Sequence, residues 1–428
     1  MLTSTYPTVS QSPAVSDPML SRTRQEHAQP NDLMCVMDYR LSAFCWTRLQ
    51  AASRVGPVLS LEMSADTRAY GWEKVERKGD FARVTLFPQG EADDAPVPEM
   101  LQRLNRTLDE HNPATVAIVG WSFKWSLGAL VWCLRNGVPA ILLSDSTAIS
   151  NPRRWHKEVI KRQLVKLYSV ALVAGGPQRD YVASLGMPKD RIFRGWDIVD
   201  NDFYLAHSDA ARANDIPLRA ELQLPERYFI SVSRFVEMKN VDRLVEAYAI
   251  YRKTAGAKAW KLLLIGDGPL RPKVIELQQR FNLGSDLILP GWKHTPELPT
   301  YYGLAGAFVL ASTREPWGLV VNEALASGLP VLISNRCGCS KDLVSEGRNG
   351  FTFDPLDVAS LAGLMARLAD ADPSGRHSMS EASRKIIANW SPEVWADNMI
   401  KASRLALSLP RPSPGILDRF LLQRLIQQ

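Results

Sequence analysis

LASTREPWGLVVNEALASGLPVLI, residues 310–333, places a carboxylate at Glu315, a glycine at Gly318 and a second carboxylate at Glu323. The run 319–327 predicts a helix, and Pro316 and Gly318 ahead of it suit a tight turn into a helix start. Such a start presents unpaired backbone N–H groups and the positive end of the helix dipole, so it can hold a phosphate. Glu315 then stands beside the anion site and Glu323 two turns further along. Two glutamates eight apart on a helix ordinarily both face water. Here Val320, Val321, Ala324, Leu325 and Ala326 surround Glu323, and Gly328, Pro330 and the strand-like VLI follow, so the helix is expected to lie largely buried beside a parallel sheet. A carboxylate in that setting requires a partner, and a hydroxyl-rich ligand is one candidate.

Outward from this stretch the pattern is strand and helix in alternation. Before it come strands at 228–235, 261–265, 286–292 and 305–312, an amphipathic helix at 240–253, a second helix ending near 281 and a short one at 297–304. After it come PVLIS, the NGFTF segment at 349–353 and a helix at 357–369. The turn GDGP at 266–269 lacks the G-x-G-x-x-G spacing and reads as a tight turn with glycine at positive φ. The first half repeats the alternation, with strands at 34–39, 57–63, 82–87, 115–121, 139–145, 170–175 and 190–196 and helices between most of them. Strands apolar on both faces imply parallel sheets covered on two sides. The expected architecture is α/β, two Rossmann-like doubly wound domains facing a central cleft. Residues 1–30, rich in Ser, Thr, Pro and Gln, are expected as a disordered tail. Residues 31–210 form the first domain, 211–226 within the polar stretch 205–226 a linker, and 227–380 the second domain. The helices in 381–428 are free to pack on either domain.

In doubly wound sheets ligands sit beyond the strand C-termini. Arg234 and Lys239, at and just after the first strand of the second half, are the cations placed to reach a diphosphate at the Gly318 helix start. Their plain alternative is surface charge, although a cation near a helix N-terminus is electrostatically unfavourable. In the first half Asp38 and Asp145 follow strands and are the carboxylates placed to meet a sugar hydroxyl or a proton, with helix capping as the alternative. No histidine lies at a strand end there, and no general base is nominated.

SRFVEMKN (233–240), LLLIGDGPL (262–270), LPGW (289–292), EPWGLVVNEALASGLPVL (315–332) and NGFTF (349–353) together resemble the donor half of a GT-B retaining glycosyltransferase of family 4, in the right order over about 150 residues. The resemblance implies that Glu315 contacts the donor sugar hydroxyls and Glu323 the ribose. It implies further that Arg234 and Lys239 hold the diphosphate and stabilise its charge as the glycosidic bond breaks. Backbone N–H groups from Trp317 to Leu319 would join them at Gly318, and Gly291 would lie near the base. It also implies retention of anomeric configuration, with the leaving phosphate accepting the acceptor proton. SDST (144–147) and GWDIVDNDFY (195–204) are similar to segments of bacterial surface-polysaccharide glycosyltransferases of this family. The first half departs from the family pattern: its first strand ends MDYRLS without a glycine-rich loop, and a later one ends GWSFKW without a histidine.

The implied activity is sugar transfer from a nucleotide diphosphate sugar to a hydroxyl of a glycan or lipid-linked glycan, without a cofactor. A nucleotide-sugar epimerase on the same fold and a catalytically silent sugar-nucleotide scaffold are the alternatives. At 428 residues, 46% hydrophobic and 22% charged, the chain has an ordinary globular composition. A net charge of +6 and pI near 9.0 suit an anionic partner without naming one. Nucleic acid is disfavoured because the basic residues do not interleave with aromatics on one strand face. Five scattered cysteines suit a reducing cytoplasm, and Cys337-Gly-Cys339 lacks a second pair at zinc spacing, so no metal site is expected. No apolar run approaches membrane-spanning length. The segment RRWHKEVIKRQLVKLY, 153–168, with six Lys/Arg against one Glu, predicts a basic amphipathic helix. It either simply packs on the sheet or also touches an anionic membrane face, which would place a cytoplasmic enzyme at the inner surface.

Overall fold

The computed structural model describes residues 32–65, 75, 77–149 and 153–427, and the tail expected over 1–30 lies outside the described residues. The first sheet contains β1 (Met34–Asp38), β2 (Val58–Ser64), β3 (Ala82–Phe87), β4 (Thr115–Val119), β5 (Ala140–Ser144), β6 (Val170–Val173) and β7 (Ile192–Arg194). Its order is β3-β2-β1-β4-β5-β6-β7, parallel throughout. The second contains β8 (Tyr228–Val232), β9 (Lys261–Ile265), β10 (Leu287–Gly291), β11 (Ala307–Leu310), β12 (Val331–Ser334) and β13 (Gly350–Phe353), in the parallel order β10-β9-β8-β11-β12-β13. Strands buried on both faces, such as VLIS and AILLS, are apolar up to a terminal serine because helices cover both sides. The edge strand β3 shows the contrast, with its first residues exposed.

Both sheets reverse their strand order, between β1 and β4 in the first and between β8 and β11 in the second. Loops leaving neighbouring strands at such a reversal diverge and open a crevice. The loops after β8 and β11 carry Arg234, Lys239, Glu315 and Gly318.

The stretch expected as a linker is helical, Asn201–Ala213 and Asp215–Glu221. Its polar appearance arises because the first helix buries only a narrow stripe, including Tyr204, Ser208 and Ala211, against the second domain. Ser208 Oγ donates to the Pro299 carbonyl (2.9 Å), and Gly303 permits the approach, since a Cβ there would lie 2.6 Å from the Ser208 carbonyl oxygen. The C-terminal helices divide between the domains. Pro373–Ile387 packs on the second domain, with Ser383 Oγ donating to the Leu329 carbonyl (2.7 Å). Pro392–Ser408 returns to the first, burying Trp395, Met399, Ala402 and Ala406 against the helix Ala43–Ser53. The two crossings meet where Asn201 Nδ2 donates to the carbonyls of Ile387 (3.1 Å) and Trp390 (3.3 Å).

Candidate active site

Two loops are bolted together at the strand reversal of the second sheet. Thr313 N–H donates to the Met238 carbonyl (2.9 Å), and the buried Asn240 Nδ2 donates to the carbonyls of Ala311 (3.0 Å) and Pro355 (2.8 Å). Asn240 sits at φ 56, a left-handed conformation that Asn adopts more readily than most residues. This fastening brings Lys239 onto Glu315, as an ion pair with side-chain exposures of 14% and 10%, and Ser312 Oγ donates to the same Glu315 oxygen (3.2 Å).

Arg234 stands exposed at the end of β8. Its loop rests on the GDGP turn: Phe235 N–H donates to the Asp267 carbonyl (2.8 Å), and Gly266 lies at φ 133, where a Cβ would fall 1.8 Å from the Ser233 carbonyl oxygen. The turn with glycine at positive φ is thus observed, and its task is to let the Arg234 loop settle. Gly266 N–H also donates to the carbonyl of Gly291 (2.9 Å), which ends β10 at φ 82 and is followed by the half-exposed Trp292.

Gly318 begins the helix Leu319–Ala326 at φ 111 and ψ 67, with no side-chain cap and no acidic residue in the first turn. The positive end of this helix is therefore open beside Glu315. Trp317 contributes main chain alone: its indole is buried, donates Nε1–H to Asn322 Oδ1 (2.9 Å) and packs toward Trp390. On the second turn Glu323 accepts from the Tyr302 hydroxyl (2.8 Å), with the Tyr204 hydroxyl also directed at it. Burial pushes the Glu323 carboxyl up to about 7, against the opposing effect of those hydroxyls.

Across the cleft Asp145 follows β5, and Asp197 lies just beyond β7. Asp145 is exposed to solvent, and partial desolvation together with the charge of Glu315 raises its carboxyl above the usual range. Asp197, 8% exposed, is raised well above that range by burial and by Asp145 and Glu315, with Arg48 opposing. Asp38 is not at this site. Its carboxylate pairs with Arg48 (2.6 Å) inside the first domain, because the helix Ala43–Ser53 carries Arg48 back over β1 and onto the Trp196 ring (3.6 Å). Asp38 is not a helix cap, since Ser42 caps that helix, and its carboxylate is engaged by Arg48 inside the first domain. Asp197 and Tyr204 lie in the GWDIVDNDFY segment (195–204), but neither they nor Tyr302 and Ser312 are nominated individually from the sequence; the strand-end rule that singles out Asp145 also reaches Asp197.

The domains touch directly beneath the site. Gly176 N–H donates to Asp342 Oδ2 (2.8 Å), Gln178 Nε2 to the Pro316 carbonyl (2.7 Å) and Asn322 Nδ2 to the Asp197 carbonyl (3.1 Å). A depression of about 440 Å³ lined by Leu224, Pro225, Lys261 and Leu287 lies at the opposite ends of β9 and β10, away from these groups.

Two parallel-sheet Rossmann-like domains are the GT-B architecture. Residues 216–386 match the family described as glycosyl transferases group 1. It is 28% identical over 203 residues to an alpha-D-kanosaminyltransferase of Streptomyces kanamyceticus, covering 47% of this chain and 51% of that one. It is 30% identical over 201 residues to a GDP-mannose-dependent alpha-(1-6)-phosphatidylinositol monomannoside mannosyltransferase of Mycobacterium tuberculosis, covering 45% and 50%. The matched stretch spans about half the length of these relatives. In fold the chain is similar to an Anabaena protein crystallised with UDP, with a TM-score of 0.65 at 14% identity over 86% of this chain and 98% of that one.

Proposed function

We propose that the protein transfers a sugar from a nucleoside diphosphate sugar to a hydroxyl of a glycan or lipid-linked glycan, with retention of configuration and without a metal or cofactor. The observation that carries this is the Lys239–Glu315 pair beside the uncapped helix start at Gly318, with Arg234 exposed on the loop that leads to Lys239. The diphosphate would sit on that helix start. Lys239, paired with Glu315, would turn to the phosphate oxygens with Arg234 and release a Glu315 oxygen to accept from a sugar hydroxyl. As the bond from the anomeric carbon to the phosphate oxygen breaks, the two cations stabilise the departing charge. A leaving-phosphate oxygen takes the acceptor hydroxyl proton, and the acceptor oxygen bonds the anomeric carbon on the same face. Glu323 would accept from the ribose, and the backbone at Gly291 would border the base. Asp145, facing Glu315, is placed for the sugar or the acceptor.

The UDP-bound Anabaena neighbour supports a nucleotide in this cleft, and the name of the mycobacterial relative supports a lipid-linked acceptor. The intact pairing of Lys239 with Glu315 favours catalysis over a silent scaffold. A thermal-shift screen against UDP, GDP, ADP and TDP should show a selective rise with one of them that is lost in Glu323→Ala. No rise with any nucleotide would remove the donor-site assignment, and sugar product without an acceptor would assign an epimerase.

No helix of the described residues is long and apolar enough to cross a membrane. The helix Trp155–Val165 packs Leu164 and Val165 inward and leaves Arg153, Arg154, Lys157 and Trp155 exposed at its start, which supports contact with an anionic membrane from the cytoplasmic side.

A further inference from the structure

The C-terminal helix Ile416–Gln427 turns Leu422 and Ile426 into the core of the first domain, yet holds Ile416 (88% exposed), Leu417 (82%) and Phe420 (68%) in solvent. This outward placement is rigidly set. Asp418 accepts the Gly415 N–H (3.0 Å) and pairs with Lys166 (2.9 Å). Ahead of the helix, Arg411 donates from Nε to the Gly137 carbonyl (2.9 Å) and from Nη1 to the carbonyls of Ala406 (3.0 Å) and Leu409 (3.0 Å).

The Lys166 contact ties this helix to the C-terminal end of the basic helix Trp155–Val165, which itself exposes Trp155 (80%) and Val159 (45%). Stretches 153–166 and 411–427 hold nine Lys/Arg and only two carboxylates, Glu158 and Asp418. Both are ion-paired and largely covered, with side-chain exposures of 16% and 10%. Apolar tips among cations, with the few acids turned inward, are complementary to an anionic lipid surface. The tips enter the acyl boundary while ammonium and guanidinium groups stay at the phosphates. A second copy of the chain would instead set like charge against like.

We propose that Ile416, Leu417 and Phe420 form an insertion edge that seats this chain on an anionic bilayer. The proposal rests on the membrane contact of helix Trp155–Val165 and adds to it a second element, remote in sequence, that supplies the apolar anchor.

The test is co-sedimentation of the full chain with vesicles of phosphatidylcholine alone and of phosphatidylcholine with phosphatidylglycerol. The protein should partition onto the anionic vesicles only, and Leu417→Ser and Phe420→Ser should each lower the partition coefficient about ten-fold. The unfolding midpoint should not move, because both side chains are already in water. Charge removal in Arg154→Ala/Lys157→Ala tests the basic helix separately. Loss there with full binding by Phe420→Ser overturns the insertion edge and leaves the basic helix standing. No binding of wild type to anionic vesicles overturns both, as does a dimer that Phe420→Ser dissociates without any vesicle binding.

Discussion

Glu323 and the pair Lys239–Glu315 are buried charges solved in different ways. Among the described residues Glu323 is met by the Tyr302 and Tyr204 hydroxyls and by no cation, so burial raises its carboxyl from 4.5 to about 7. The native protein therefore holds a proton that the unfolded chain releases, and this group's contribution is fully present below the unfolded value and lost as pH rises through the folded one. Glu323→Gln should match wild type near pH 4.5 and exceed it by about 3 kcal/mol at pH 8, measured by urea unfolding at both pH values. A parallel pH dependence in both proteins would contradict this. Glu315 instead depends on Lys239. Lys239→Ala strands the carboxylate and should cost about 3 kcal/mol, whereas Lys239→Ala/Glu315→Gln should recover most of that loss, since removing one partner of a buried pair costs more than removing both charges. Equal losses in the single and double variants would show that the pair is not coupled.

Among the elements, the GDGP turn shows how a small motif positions charge through the backbone it supports. Gly266 is required at φ 133 and by its approach to Ser233. Gly266→Ala should therefore push the Arg234 loop aside, destabilise the protein by at least about 2 kcal/mol and weaken nucleoside diphosphate binding. Calorimetric titration alongside chemical unfolding checks both effects, and unchanged affinity would separate Arg234 from the diphosphate. The helix Asn201–Ala213 teaches the converse. A helix that buries one narrow stripe against a neighbour carries many polar residues, and composition then resembles a linker's.

At the scale of the molecule, the cleft is set by how closely the domains meet. A Cβ on Gly175 would lie 2.5 Å from the Trp317 ring and 2.3 Å from Asp342 Oδ2, both in the other domain. Gly175→Val should hold the domains apart, raising the radius of gyration in small-angle scattering and lowering transfer at least ten-fold. Nucleotide affinity should change little, because Arg234, Lys239 and the Gly318 helix start all belong to one domain. An unchanged radius of gyration with full transfer would show that the contact at Gly175 does not govern the cleft.

Sheet and helix positions were legible in the chain because double burial forces continuous apolar strands and turns demand glycine or proline where the backbone must reverse, as at Gly266 and Gly318. The residues gathered around the helix start were legible for the same reason: they sit on loops leaving adjacent strands, at offsets that strand order converts into proximity. Asp38 and Asp145 look alike in sequence, each an aspartate at a strand end. Only tertiary packing separates them, by laying Arg48 over one and the opposite domain before the other. The same holds for the Tyr204 and Tyr302 hydroxyls on Glu323 and for the C-terminal helices divided between the domains. Such contacts join residues from ten to nearly two hundred apart, and no local spacing or propensity encodes which surfaces will meet.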